Sequence, residues 1–190
     1  MHRIEFLTYP SGAPATGSRL TGIRIDDTDL RTYAADATRD HWHREREADG
    51  DDDSPADRES FVRTQHQGLP LDELADPVRH FLGEPTPQFA GASAHATPVL
   101  GCSCGIWACW PLVAVITVAP DTVTWSGFRQ PHREEWGDLP MGPYVFDRSS
   151  YEAALASPTA LDQDPLAGLH EDDDGADGAD GEGEGDSETA

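Results

Sequence analysis

Residues Val99–Phe128, VLGCSCGIWACWPLVAVITVAPDTVTWSGF, decide the fold, because they hold all three cysteines, three of the five tryptophans and the longest apolar run. In Leu112–Val118 both alternating sets are apolar. Leu112, Ala114, Ile116 and Val118 share one side, and Val113 and Val115 share the other with Thr117. That is the pattern of a strand covered on both faces. Ala119-Pro120-Asp121 reads as a turn. Thr122–Trp125 then returns with Val123 and Trp125 inward and Thr122 and Thr124 outward, so the two runs form a β-hairpin.

Upstream, Leu20–Ile25 predicts a short strand with Ile23 and Ile25 on one side. Thr28 or Asp29 caps a following helix whose apolar residues Leu30, Tyr33, Ala34 and Ala37 form one face. Residues 40–60 lack an apolar stripe and are rich in charge, Gly and Pro, which predicts a solvated acidic loop or a frayed helix extension. His41 and His43 within it chelate a metal only on an extended backbone, since on a helix they point roughly 200° apart. Leu71, Leu74, Val78, Phe81 and Leu82 form a helical stripe, interrupted by Pro77 and closed by Gly83 at the position of a left-handed cap. His80 falls beside this stripe, where it reads as a partly buried surface histidine.

Downstream of the hairpin, Gly137, Pro140, Gly142 and Pro143 predict an ordered loop that returns Trp136 to the core. Tyr144–Phe146 predicts a further strand. Ser149 and Glu152 have capping-box spacing for a short helix over residues 150–156. The whole is a single α+β domain over residues 1–156, with a small antiparallel sheet centred on the hairpin and two or three short helices. Residues 157–190, low-complexity Asp, Glu and Gly at their end, read as a disordered acidic tail.

The formal net charge is −23, and all thirteen basic residues are arginine. Ten of the 36 acidic residues lie in Glu171–Ala190, so residues 1–170 carry 26 acidic against 13 basic side chains. A basic nucleic-acid footprint is absent from this composition, and anionic membrane surfaces are disfavoured. No stretch has the character of a signal peptide or the roughly 18 apolar residues of a spanning helix, which points to a soluble, cytoplasmic protein. Three cysteines crowded into eight residues do not make a secreted-type disulfide framework.

Cys102, Cys104 and Cys109 have C-x-C-x4-C spacing around Gly101 and Gly105, which lets a tight turn bring sulfurs together for a soft metal such as zinc. A closed zinc site needs a fourth ligand. His132, carried by the loop after the hairpin, and His95, seven residues before Cys102, are the candidates. The same cysteines also read as small buried hydrophobes, or as reactive thiols with Arg129 or His132 supplying positive charge. A second constellation, Trp125, Arg129, His132 and Trp136, offers stacking faces and a guanidinium fork for a ligand cleft, or equally a structural corner.

The segments CSCGIWACWPL, VTWSGFRQPHREEW and GPYVFDRSSYEAAL resemble a family of small proteins from high-GC bacteria with the pattern CxCGxxGCWPL, WxxFxQPHR, GPxxFDRxxYExAL. Cys102, Cys104, Cys109, Trp110 and His132 match. Ala108 stands where the pattern has glycine, and Ile106 where an acidic residue is common. The resemblance covers about residues 69–155, and more weakly residues 20–37, and implies a shared fold, with no activity, cofactor or partner attached.

Phosphate-binding glycine loops, dinucleotide fingerprints, nucleophile elbows and His-Glu-x-x-His motifs do not occur. The leading expectation is therefore a non-enzymatic cytoplasmic binding or interaction protein with a structural cysteine turn, for which zinc is the candidate cofactor. Two alternatives remain: a thiol-dependent redox protein or enzyme using Cys102, Cys104 or Cys109, and an acidic immunity or inhibitor protein for a basic protein partner.

Overall fold

The structure, a computed structural model, describes residues 1–11, 17–85 and 96–167. It is α+β, with two sheets. The first contains β1 (Ile4–Pro10), β2 (Arg19–Ile25), β3 (Thr28–Asp29) and β9 (Thr159–Ala160), in the order β3-β2-β1-β9. The second contains β4 (His66–Gln67), β5 (Thr97–Cys102), β6 (Leu112–Val118), β7 (Thr122–Arg129) and β8 (Tyr144–Asp147), adjacent in chain order. Among the described residues four α-helices accompany them: α1 (Leu30–Asp49), α2 (Pro55–Arg63), α3 (Pro77–Phe81) and α4 (Arg148–Ala156).

The hairpin forms as its sequence predicts, with β6 and β7 antiparallel and Val123 and Trp125 fully buried. Only the first half of β6 is covered on both faces: Leu112, Val113 and Ala114 are buried, whereas Val115 and Val118 reach solvent. The strand predicted at Leu20–Ile25 forms as β2, but in a sheet of its own rather than beside the hairpin. Its β1 pairs antiparallel with β2 from Ile4↔Ile25 to Pro10↔Arg19, burying Ile4, Phe6, Leu7 and Tyr9. The two sheets are sewn together where Thr21 N–H donates to Leu69 O at 2.9 Å and Leu71 N–H to Arg19 O at 2.9 Å. The approach is so close at Gly68 that a Cβ there would stand 1.8 Å from the Thr21 carbonyl oxygen, so no other residue fits.

Between the sheets lies an aromatic core of Phe6, Phe81, Trp125, Phe128, Phe146 and Tyr151. Tyr151, from α4, donates to the Phe81 carbonyl at 2.5 Å and accepts from Trp125 Nε1 at 3.1 Å, so the polar atoms of this core are satisfied against each other. Asp147 caps α4 by accepting from Ser150 N, in place of the capping box expected at Ser149.

Of the two readings of residues 40–60, the helix extension holds and the acidic loop is corrected: α1 continues to Asp49 and ends at Gly50 in the left-handed conformation, and α2 begins at Pro55 with Ser54 as its cap. The continuation is held sideways, because Arg39 pairs with Glu59, Arg46 pairs with Asp53, and the Arg46 guanidinium lies 4.4 Å from the Phe61 ring centre. The Leu71–Leu82 stripe yields only the five residues of α3, opened by Pro77 after the Asp76 cap, with Val78 exposed. His80 is fully buried, its Nε2 at 2.7 Å from Pro98 O.

A further correction concerns the boundary at residue 156. Residues 157–167 return to the body, and the expected disordered tail lies, from residue 168 onward, outside the described residues. β9 pairs parallel with β1 through Leu7↔Thr159 and Thr8↔Ala160. Asp164 then meets the buried Arg31 in two parallel bonds of 2.9 and 2.8 Å, while Asp29 takes the remaining face of the same guanidinium. Two carboxylates around one buried cation satisfy most of its donors. Arg31→Met therefore leaves Asp29 buried without its partner and should lower unfolding free energy by about 3–5 kcal/mol. Asp164→Asn, at a partly exposed partner, should cost about 1 kcal/mol. Urea titration of the two variants checks that order, and equal losses would contradict it.

Candidate metal centre

β5 ends at Cys102 and delivers its side chain to the edge of the core, 8% exposed. The backbone then folds sharply: Gly105 N–H donates to Cys102 O at 3.3 Å, and Cys104 N–H points at Cys102 Sγ at 3.5 Å. A single 3₁₀ turn at Trp107–Cys109 brings the third cysteine back, with Cys109 N–H on Ile106 O at 3.0 Å. The three Sγ atoms lie within 4.8 Å of one another, and all three thiols are free. Ligands about 2.3 Å from one zinc stand roughly 4 Å apart, so the turn needs little closure to hold an ion.

The thiols differ in their readiness to ionise. Burial pushes Cys102 up to about 12, because a thiolate there loses its hydration. Exposed Cys104 is held below its ordinary value, first by a backbone hydrogen bond at Ile106 and then by hydrogen bonding with the Cys102 thiol. One solvent-facing sulfur thus carries charge most easily while its buried neighbour keeps its proton.

The turn is anchored by the residue that follows it. Trp110 packs on Trp42 of α1 at 5.2 Å between ring centres and on Trp136 at 6.1 Å, and the Arg133 guanidinium lies 5.0 Å from its ring centre. Glu45 joins this box by accepting from Arg133 Nε at 3.1 Å and from Trp136 Nε1 at 2.8 Å. Both α1 contributors, Trp42 and Glu45, come from the segment 40–60 that the sequence leaves between an acidic loop and a helix extension. His41, on the same helix, stacks on Trp136 at 4.8 Å. His41 and His43 form no chelate with a third ligand among the described residues.

His132 approaches the turn without entering the set of convergent donors. Its ring stacks with Trp110, and its Nε2 lies 3.2 Å from Ala108 O, so the imidazole staples the turn through a hydrogen bond. His95 lies outside the described residues. The strand that follows it separates Thr97 from Cys102 by about 16 Å at the ordinary rise per residue. Among the described residues the convergent set is the three thiols alone.

The cleft of Trp125, Arg129, His132 and Trp136 does not form. Across the hairpin Val113 faces Arg129 and Val115 faces Ser126, so three residues of β7 span two of β6. This bulge, with Gly127 at φ +56°, turns Phe128 inward and Arg129 out to Asp138. Trp125 is fully buried in the core and Trp136 belongs to the aromatic box. Arg129, Gln130, Arg133 and Glu134 instead line a polar pocket of about 560 Å³ that neither indole walls.

A residue that sequence reading missed sits beside the thiols. His66 pairs with Cys102 across β4 and β5, buried, with burial lowering its pKa to about 4 against the carbonyls of Gly101 and Trp110. Its lone position between Gln65 and Gln67 carries no periodic signal.

Two measurements follow from this geometry. Under limiting iodoacetamide near neutral pH, peptide mapping should find Cys104 alkylated first and Cys102 last, and the reverse order would contradict the assigned environments. Below about pH 6.5 the unfolded chain takes up a proton that folded His66 refuses until about pH 4, so its contribution to stability is lost as pH falls through that window. Thermal unfolding between these pH values should show the slope, and His66→Phe should flatten it. Compared with protein-family models, curated proteins and solved structures, the chain matches none.

Proposed function

We propose that this chain is a non-enzymatic, cytoplasmic binding or interaction protein whose Cys102–Cys104–Cys109 turn takes a thiophilic metal ion, zinc foremost. One observation carries the reading: three sulfurs from eight residues of chain converge to within 4.8 Å on a turn that the fold itself braces. Thiolate donors select zinc and other soft ions over magnesium or calcium. With three protein ligands, zinc takes water in its fourth position or recruits His132 from the Ala108 carbonyl. The acidic composition suits a basic protein partner, whose approach the field would steer. No helix among the described residues is long and apolar enough to cross a membrane.

A second reading has its own support. Cys104 is exposed, depressed in pKa and next to two further thiols, the arrangement of a redox-active or nucleophilic cysteine.

Metal analysis of protein purified under reducing conditions without chelator tests the first reading. One equivalent of zinc per chain is expected, either as purified or after zinc is added and excess removed. Cys104→Ser should lose it while keeping the fold by circular dichroism. Wild-type protein that holds no zinc under both conditions would remove the zinc reading.

A further inference from the structure

Valence, as well as softness, decides which ion three sulfurs suit. The donor set at Cys102, Cys104 and Cys109 is entirely sulfur. In a chain with 36 acidic residues, no carboxylate or imidazole joins the convergent group among the described residues. Zinc sites in proteins are four-coordinate, so a divalent ion here draws its last ligand from outside this group and leaves an anionic complex. That charge finds little compensation: Arg129 is paired with Asp138 and Arg133 with Glu45. A trivalent centre bound through three covalent sulfur bonds is neutral and needs no fourth donor. Exposed Cys104 and Cys109 give such a molecule its entry, and Cys102 forms the floor.

We propose that the thiol turn captures trivalent arsenic from its neutral trihydroxide, a deeper claim that rests on reading the turn as an ion site. Three S–H groups and one As(OH)₃ give one As(S)₃ centre and three waters. Three As–O bonds break and three As–S bonds form, each thiol proton leaves with a hydroxide as water, and arsenic stays trivalent. The exchange therefore needs neither oxidant nor reductant.

The test uses the full, reduced chain after incubation with one equivalent of zinc. Arsenite is titrated in while released zinc is followed with a chromophoric chelator, free thiols with a disulfide reagent, and sulfur-to-arsenic bonds by ultraviolet absorption. One arsenite should consume all three thiols and release any bound zinc. Cys104→Ser, at an exposed position that spares the core, should weaken arsenite binding by roughly 100-fold or more through loss of one chelating arm. Zinc that stays bound while the thiols resist excess arsenite would overturn the proposal and leave the zinc reading standing. Uptake of arsenite without zinc would sustain the proposal and remove zinc, whereas uptake of neither would remove both.

Discussion

The contact of Trp110 with Trp42 is the constraint on which the candidate centre depends. Trp110 follows Cys109 directly, and its indole is pinned at 5.2 Å from a helix whose other end is capped at Asp29, beside the buried Arg31 cluster. The helix therefore transmits the position of the first sheet to the thiol turn of the second. Glu45, one turn along the same helix, fixes Arg133 and Trp136 around the same indole. The turn is thus held at both ends, by the β5 ladder at Cys102 and by the aromatic box at Trp110.

Bracing of this kind changes the thermodynamics of ion capture. Fixing one residue's backbone costs about 1–2 kcal/mol, so ordering the eight residues from Cys102 to Cys109 for an ion alone would cost on the order of 10 kcal/mol. In small zinc modules the ion must offset that cost, and the apo form is unfolded. Here the hairpin, the buried aromatic core and the box around Trp110 have already ordered the turn, so more of the binding free energy remains as affinity. The same bracing makes Cys102 and Cys104 unlike each other: one is rooted at the end of a buried strand, and the other stands in solvent where backbone hydrogen bonding favours its thiolate.

Short-range patterns were legible in the sequence, and cross-segment constraints were not. Alternation in Leu112–Val118 and Thr122–Trp125 revealed the hairpin, and glycines beside closely spaced cysteines revealed the turn, because both depend on neighbours within a few residues. The extension of α1 depends on Arg39 with Glu59, Arg46 with Asp53, and Trp42 with Trp110, none of which leaves a periodic trace. Gly50, at φ +76°, was the one local sign of where that helix stops. The cleft failed for a similar reason: counting by twos puts Trp125 and Arg129 on one face, and a single bulge reverses it. His66 acquires its place only when β4 finds β5, a pairing that joins His66 to Cys102 from distant parts of the chain.

The acidity of the chain sharpens what the thiol turn is suited for. Where carboxylates are abundant and lysine is absent, a hard cation has many surface sites to choose from, and selectivity for one place must come from donor chemistry. Sulfur supplies that selectivity, since carboxylate oxygens compete weakly for a soft ion. Arginine, meanwhile, is committed: Arg31 to Asp29 and Asp164, Arg39 to Glu59, Arg129 to Asp138, and Arg133 to Glu45. These pairs neutralise charge where the fold needs it, and among the described residues they leave Arg129 and Arg133, the arginines of the loop after the hairpin, committed to carboxylates rather than to the turn. An occupant that brings its own charge balance to three sulfurs then fits the site better than one that leaves it anionic, so the electrostatics of the whole chain bear on the choice made by three atoms.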